Sequence, residues 1–209
     1  MKSIRFLDCR IDLSKWNFTP RPETGFWVKK AVKEIKSAED RPPRILDMFS
    51  GSGCIGIAIL KNIKNSRADF SDVGKKAVEQ IKINLKLNRI PQGRYKIYKS
   101  DLFKNLPKKS YDYIFANPPY VAKDKLKEVQ PSVLQCEPKT ALFGGKKGLF
   151  YIKKFLKQAK SFLAGTGVIF LEFSPEQKEE IEKILIREGY KEYYFLKDQF
   201  KKYRFLKCY

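Results

Sequence analysis

The chain has no histidine. That removes serine–histidine and cysteine–histidine hydrolase mechanisms and every metal site that needs an imidazole. Catalysis must rest on carboxylates, amides, backbone groups or a cofactor. Cysteine is scarce, and Cys9, Cys54, Cys136 and Cys208 form no Cys-x-x-Cys pair. Scattered thiols of this kind are expected to be reduced, in a protein of the cytoplasm. Long hydrophobic runs are missing too. Cys54–Leu60 is the most apolar stretch and is far too short to cross a bilayer. The first residues, interrupted by Arg5, Asp8 and Arg10, do not read as a signal peptide. Acidic residues are few: 23 Asp and Glu stand against 44 Lys and Arg, a formal charge of +21. A polyanionic partner such as RNA, DNA or a ribosomal assembly accounts for that charge; so does a lysine-rich solvated surface, since lysine is spread along the whole chain.

What is present describes one globular domain. A length of 209 residues with 43% hydrophobic and 14% aromatic content suffices for a substantial core. Residues 1–40 are expected to form an N-terminal hairpin and helix, and residues 41–209 the core. Alternating apolar positions in Met1–Phe18 predict the hairpin. Thr19–Thr24 reads as a stiff polar turn before a helix whose apolar face carries Val28, Ala31, Val32 and Ile35. Strands are expected at Ile45–Met48, Arg67–Ser71, Tyr95–Lys99, Tyr111–Ala116 and Gly167–Phe173, with helices between them at Cys54–Ile63, Ala77–Leu85 and Leu149–Leu163. Val121–Gly148 reads as one long connection. Ser174-Pro-Glu-Gln177 predicts a capping box opening a helix to about Gly189, and Tyr190–Leu196 and Arg204–Tyr209 a closing hairpin. Strands alternating with helices imply an α/β fold: a Rossmann-like, open, mostly parallel sheet of about seven strands with helices on both faces.

The most informative stretch is Tyr111–Tyr120. Asn117-Pro118-Pro119-Tyr120 ends an apolar strand abruptly, because proline gives no N–H to a ladder and restricts the residue before it. A side-chain amide, fixed carbonyls and an aromatic ring are thereby held where open α/β sheets place their ligands. This set suits methylation of a planar nitrogen, whose delocalised lone pair makes it a poor nucleophile. Two N–H groups donating to the Asn117 oxygen and the Pro118 carbonyl would hold that nitrogen, with Tyr120 stacked on its plane. The plainer alternative is a turn doing only backbone work.

Gly51-Ser-Gly53-Cys-Ile-Gly56 fits the dinucleotide fingerprint, with Asp72 placed for a ribose, so a nicotinamide enzyme competes. Three features favour S-adenosylmethionine instead. Asp47 before the loop suits a methionine ammonium, Ser100-Asp101 can face an adenine amine, and Asn-Pro-Pro-Tyr has no task in hydride transfer. Asp47 and Asp72 could equally cap helices. Gln177 reads as a helix cap, Glu172 as a buried strand-end carboxylate, and Trp16 and Trp27 as packing residues. Cys54, at a helix start, is open to a lowered pKa.

With these residues in place, the chain resembles the HemK-type protein-glutamine methyltransferases, which modify the Gly-Gly-Gln glutamine of peptide-chain release factors. The likeness runs through Pro20-Arg-Pro-Glu-Thr24, Ile45–Gly56, Asn117–Val121, Glu137-Pro-Lys-Thr-Ala-Leu142, Gly148-Leu149 and Leu171-Glu172 with Gln177. Asn-Pro-Pro-Tyr is shared with adenine-amine methyltransferases of RNA and DNA; the Arg-Pro-Glu-Thr and Glu-Pro-x-Thr-Ala-Leu elements are more particular to the glutamine enzymes. The resemblance implies cofactor contacts from Asp47, Phe49, Ser50, Gly51, Ser52, Gly53, Asp72, Asp101, Leu102 and Asn117, with Arg21–Thr24 closing over the site. Asn117, Pro118, Pro119 and Tyr120 would hold the substrate amide, with no metal. A release factor is the implied partner, with RNA or ribosome contact through the basic surface and no membrane. Two departures stand out. Phe49 occupies a position usually glycine, and the family's N-terminal helical domain, which grips the release factor, has no counterpart before Met1–Phe18. An adenine-amine methyltransferase and a non-catalytic RNA- or ribosome-binding module remain the alternative readings.

Overall fold

Apolar residues that alternate along the predicted strands go to opposite faces of one sheet, and that alternation builds the molecule. The computed structural model describes residues 3–38, 41–108 and 110–209. Strands β1 (Ser3–Phe6) and β2 (Cys9–Asp12) pair antiparallel as a separate hairpin. Then come α1 (Pro22–Ala38), β3 (Arg44–Met48), α2 (Cys54–Asn62), β4 (Arg67–Asp72), α3 (Lys75–Leu87), β5 (Tyr95–Lys99) and β6 (Tyr111–Ala116). Two short helices follow, α4 (Pro131–Cys136) and α5 (Lys139–Leu142), and then α6 (Phe150–Ala159), β7 (Leu163–Glu172), α7 (Lys178–Arg187), β8 (Tyr193–Lys197) and β9 (Tyr203–Cys208).

The main sheet has seven strands in the order β5-β4-β3-β6-β7-β9-β8. Strands β3 to β7 run parallel, and β9 pairs antiparallel with both β7 and β8. Chain order reverses between β3 and β6, which is where a sheet of this kind opens a crevice at its carboxyl edge. Ile45, Phe115 and Phe170 enter one core with residues of α1, α2 and α3, while Leu46, Ile114 and Ile169 enter the other with residues of α6 and α7. Trp27 of α1 stacks within 6.0–6.4 Å of Phe115, Phe170 and Phe205, pinning that helix to the sheet centre.

The chain departs from the expected pattern in three places. Helix α1 starts at Pro22, inside the supposed polar turn, because a proline's fixed φ suits the first helical position and its missing N–H costs nothing there. The connection after Val121 holds α4 and α5, too short to show a helical period in sequence. Strand β7 begins at Leu163, four residues before the expected start, and slips register against β6 between Tyr111 and Tyr113. No helix among the described residues is long and apolar enough to cross a membrane.

The segment before α6 turns back under Asn117–Tyr120, and glycine makes this possible. Gly148 has φ +68, and a Cβ there would collide with the Tyr120 carbonyl and the Gln177 side chain. Gly165 has nothing within 4 Å of the same position. Gly148→Ala should therefore lower unfolding free energy by on the order of 3 kcal/mol or more. Gly165→Ala should stay within about 0.5 kcal/mol, with urea unfolding of both variants as the measurement.

Candidate functional site

The carboxyl ends of β3 and β4 and the turn after β5 wall a cavity of about 200 Å³, lined by Phe49, Gly51, Asp72, Asp101, Leu102 and Asn117 among others. Two non-glycine residues there are left-handed, Phe49 at φ 58 and Leu102 at φ 51. Backbone in that region is costly for a side-chain-bearing residue and is often found at ligand sites. Asp72 does not merely cap a helix. One carboxylate oxygen accepts the Gly51 amide at 2.9 Å and the other the Gly74 amide at 2.8 Å, so it clamps the glycine turn against the start of α3. Burial pushes its carboxyl above the usual range while those amides pull the other way.

Trp16 also lines this cavity, and its indole Nε1 is buried without a partner. A donor orphaned in this way is strongly disfavoured unless a ligand atom accepts from it. Buried amides of α3 place the ring. Gln80 Oε1 accepts the backbone N–H groups of Lys15 and Trp16 at 2.7 and 3.1 Å, and Asn84 binds both Asp12 and the Ser52 carbonyl. The sequence reading made Trp16 a packing residue. The signal that could have found it was a pair of amides, Gln80 and Asn84, on the apolar side of α3.

A second cavity, of about 310 Å³, lies against the first and is lined by Arg21, Pro118, Tyr120, Val121, Gln130 and Leu142 among others. Phe18, Asn117 and Ala141 line both. Asn117 thus stands where the two meet. Arg21 and Glu137 make a 2.6 Å ion pair across the edge of the second cavity, joining the Arg-Pro-Glu-Thr element to the Glu-Pro-Lys-Thr-Ala-Leu element. Glu137 also accepts the Thr19 amide at 3.3 Å. Gln177 serves as the expected cap, its Oε1 accepting from Ser174, while its Nε2 donates to the carbonyls of Tyr120 and Lys147 at 2.9 Å each.

Not every expected contact faces a cavity. Thr24 is 1% exposed and belongs to a buried cluster centred on Glu172. Glu172 Oε2 accepts from Thr24 Oγ1 and Trp27 Nε1, both at 2.7 Å, and Oε1 accepts the Tyr120 hydroxyl at 3.0 Å. Burial pushes the Glu172 carboxyl up, against these donors and Arg204. Ser50, Ser52 and Gly53 shape the turn from behind; the Ser50 hydroxyl donates to the Asp47 carbonyl at 2.5 Å. Gly56, third glycine of the fingerprint, lets α2 approach the Phe70 ring and Asp47. Cys54 is buried, which raises its thiol pKa and corrects the lowered value that its helix-start position suggested.

Asp47 is fully buried, with Oδ2 accepting the Gly56 amide at 2.9 Å and Oδ1 unpartnered. Desolvation pushes its carboxyl from 3.8 up to about 8. In the unfolded chain it ionises near 3.8, so between these values the folded state binds the extra proton and stability falls as pH rises. Asp47→Asn removes that dependence. Its melting temperature relative to the parent should rise by at least about 4 °C between pH 5 and pH 8. A shift equal at both pH values would show that Asp47 stays ionised.

A family model described as "Methyltransferase small domain" matches residues 32–135, from α1 through Asn117–Tyr120 into α4. The release factor glutamine methyltransferase of Thermodesulfovibrio yellowstonii is 33% identical over 193 residues, 92% of this chain and 68% of the relative. That of Clostridium botulinum is 32% identical over 205 residues, 97% of this chain and 71% of the relative. Among solved structures, the hMettl16 catalytic domain in complex with MAT2A 3′UTR hairpin 6 superposes with a TM-score of 0.73 at 16% identity, covering 96% of this chain and 75% of that one. It shares the class I methyltransferase fold. Similarity sustained through both cavities and over more than two thirds of the two bacterial relatives places this chain in the release factor glutamine methyltransferase family.

Proposed function

We propose that the chain transfers a methyl group from S-adenosylmethionine to the side-chain amide nitrogen of a glutamine, the substrate being the Gly-Gly-Gln loop of a peptide-chain release factor. The observation that carries this reading is the junction of two cavities at Asn117, one large enough for part of a nucleoside and one opening beside the Pro118 carbonyl. The first cavity fits the cofactor chemically. Asp72 keeps lone pairs free for ribose hydroxyls, the orphan Trp16 donor suits a carboxylate, and Asp101 with Leu102 borders the space for a base. When bound, the cofactor supplies a methyl carbon on a cationic sulfur, a leaving group that needs no acid.

The chain's own contribution is orientation. The Asn117 Oδ1 and the Pro118 carbonyl accept the two N–H groups of the substrate amide. That fixes the nitrogen and favours a more tetrahedral geometry, with its lone pair aimed toward the first cavity. Pro118 and Tyr120 border the second cavity while Pro119 lines the first, and Tyr120 holds its ring in place through Glu172. No base is needed before attack, because an alkylated amide nitrogen becomes strongly acidic and loses its proton to water. Phe18, Val121 and Leu142 give the second cavity an apolar wall that excludes competing water.

Labelled S-adenosylmethionine, supplied with release factor or with total nucleic acid, tests the substrate. Label is expected on the release-factor glutamine, and label on nucleic acid alone would overturn the assignment. Asn117→Ala should lower turnover by about 10²–10³-fold, with cofactor affinity within about threefold of the parent. Near-normal turnover would end the role given to Asn117. Glu137→Gln, which weakens the clamp on Arg21, should raise KM for the release factor about tenfold and leave cofactor binding unchanged in calorimetry.

A further inference from the structure

We propose that Glu172 and Thr24 are positioning residues that decide which way round the Asn117 side-chain amide faces; the inference rests on the role given to Asn117 above. An asparagine amide is nearly symmetric in shape and opposite in chemistry at its two ends. Turned one way it offers the substrate an acceptor. Turned the other way it sets an N–H against the N–H of the substrate, and the slot repels what it should hold.

The choice follows from counting protons. Asn117 Nδ2 lies 3.4 Å from Thr24 Oγ1. A threonine hydroxyl has one proton, and Thr24 directs it at Glu172 Oε2, 2.7 Å away. Its oxygen can then only accept, so Asn117 must turn Nδ2 inward and Oδ1 toward the slot. Glu172 is held to acceptance in turn. The Trp27 indole, a donor without acceptor capacity, reaches the same Oε2 at 2.7 Å, and the Tyr120 hydroxyl reaches Oε1 at 3.0 Å. An ionised carboxylate satisfies all three donors. A glutamine at 172 would present an N–H of its own, which Trp27 cannot receive. Because Trp27 and Thr24 share Oε2, the glutamine oxygen would take that place, its N–H would face Tyr120, and Thr24 would keep its acceptor. A leucine at 172 removes the acceptor altogether, which frees the Thr24 proton for Asn117 and favours the reversed amide.

Glu172 is 1% exposed, and its hydrogen bonds come from neutral donors, Thr24, Trp27 and Tyr120, with Arg204 attracting it at longer range. Burying an ionisable group on neutral partners is expensive, and a methionine would fill the space at lower cost to stability. A polarity switch accounts for the carboxylate where packing alone does not.

The test compares Glu172→Leu, Thr24→Val and Thr24→Ser in the full chain. Glu172→Leu and Thr24→Val should lower kcat by about 10–100-fold, with cofactor affinity within about twofold. Thr24→Ser, which keeps the hydroxyl, should restore kcat to within about threefold of the parent. The independent readout is the side-chain ¹⁵N–H₂ pair of Asn117, assigned by its disappearance in Asn117→Asp. Without substrate present, that pair should shift in Thr24→Val and Glu172→Leu and stay in place in Thr24→Ser. A fall in kcat with unmoved Asn117 resonances overturns the positioning role. Resonances that move while kcat holds confirm the relay and overturn the function assigned to Asn117, so the two failures are distinct. Should Glu172→Leu fail to fold, the Thr24 pair decides alone.

Discussion

Two consecutive prolines cannot hold themselves. Pro118 and Pro119 have no N–H to give, so the segment that leaves β6 lacks the means by which loops are ordinarily tied to a sheet. It is held from outside. Gln177 donates to the Tyr120 carbonyl, Val121 donates to Leu142 at 2.8 Å, and Gly144 donates back to Val121 at 2.9 Å. A short parallel bridge between Val121 and Phe143 completes the clasp. These constraints explain features that look unrelated in sequence: glycines at 144 and 148, where side chains would strike Pro119 and Tyr120 carbonyls, and a capping glutamine whose second amide hydrogen is needed elsewhere. The carbonyl of Pro118 is useful because its own segment has so little else to do.

The electrostatics follow a similar economy. The protein carries +21 overall, and Asp47, pushed up to about 8 by desolvation, adds no negative charge at pH 7, yet two further buried carboxyls, Asp72 and Glu172, stand around the two cavities. Their partners are backbone amides, an indole and hydroxyls. Neutral donors leave much of the negative charge uncompensated, and a cavity with that character attracts a cationic sulfonium more than a pyrophosphate. The glycine fingerprint alone would serve either ligand. The carboxylates behind it separate the two readings more firmly than the glycines do.

Sequence patterns showed most of the sheet, because β3 to β6 are short apolar runs ended by Asp, Gly or Pro, and α1, α3 and α6 have a 3.6-residue apolar period. The family itself was visible in Arg-Pro-Glu-Thr, Glu-Pro-Lys-Thr-Ala-Leu and Asn-Pro-Pro-Tyr. What stayed hidden was long-range polar pairing. Glu172, 148 residues from Thr24 and 145 from Trp27, looks like any acid at a strand end until the fold closes. Trp16 is placed by amides on the apolar side of α3, and their partners, 64 residues away for Trp16 and Gln80, do not show in the helix's own pattern. Arg21 and Glu137 lie 116 residues apart, so their ion pair could not be read from either motif alone. The residues behind the cavities, such as Ser50 and Ser52, were grouped with those facing them because a turn's sequence does not say which side chains point out.

Phe49 shows how a family position can change without changing the turn. The resemblance implies glycine there, which would suggest a loop redrawn by the larger residue. The backbone instead keeps a left-handed φ of 58, the conformation glycine adopts freely. That costs about 1–2 kcal/mol for a residue with a Cβ. The ring recovers it by leaving the turn altogether: it lies at 73° to Tyr151 and tilted against Phe155, with centroids 6.0 and 6.1 Å away. Aromatic pairs of this geometry contribute about 0.5–1.5 kcal/mol each beyond the area they bury. The two contributions are of the same size, so the turn keeps its shape and α6 acquires a wall that reaches into the cavity. Phe49 is then best understood as a side chain of the second core that happens to be attached to the glycine turn. The cavity thus gains an aromatic lining on a turn whose backbone stays left-handed.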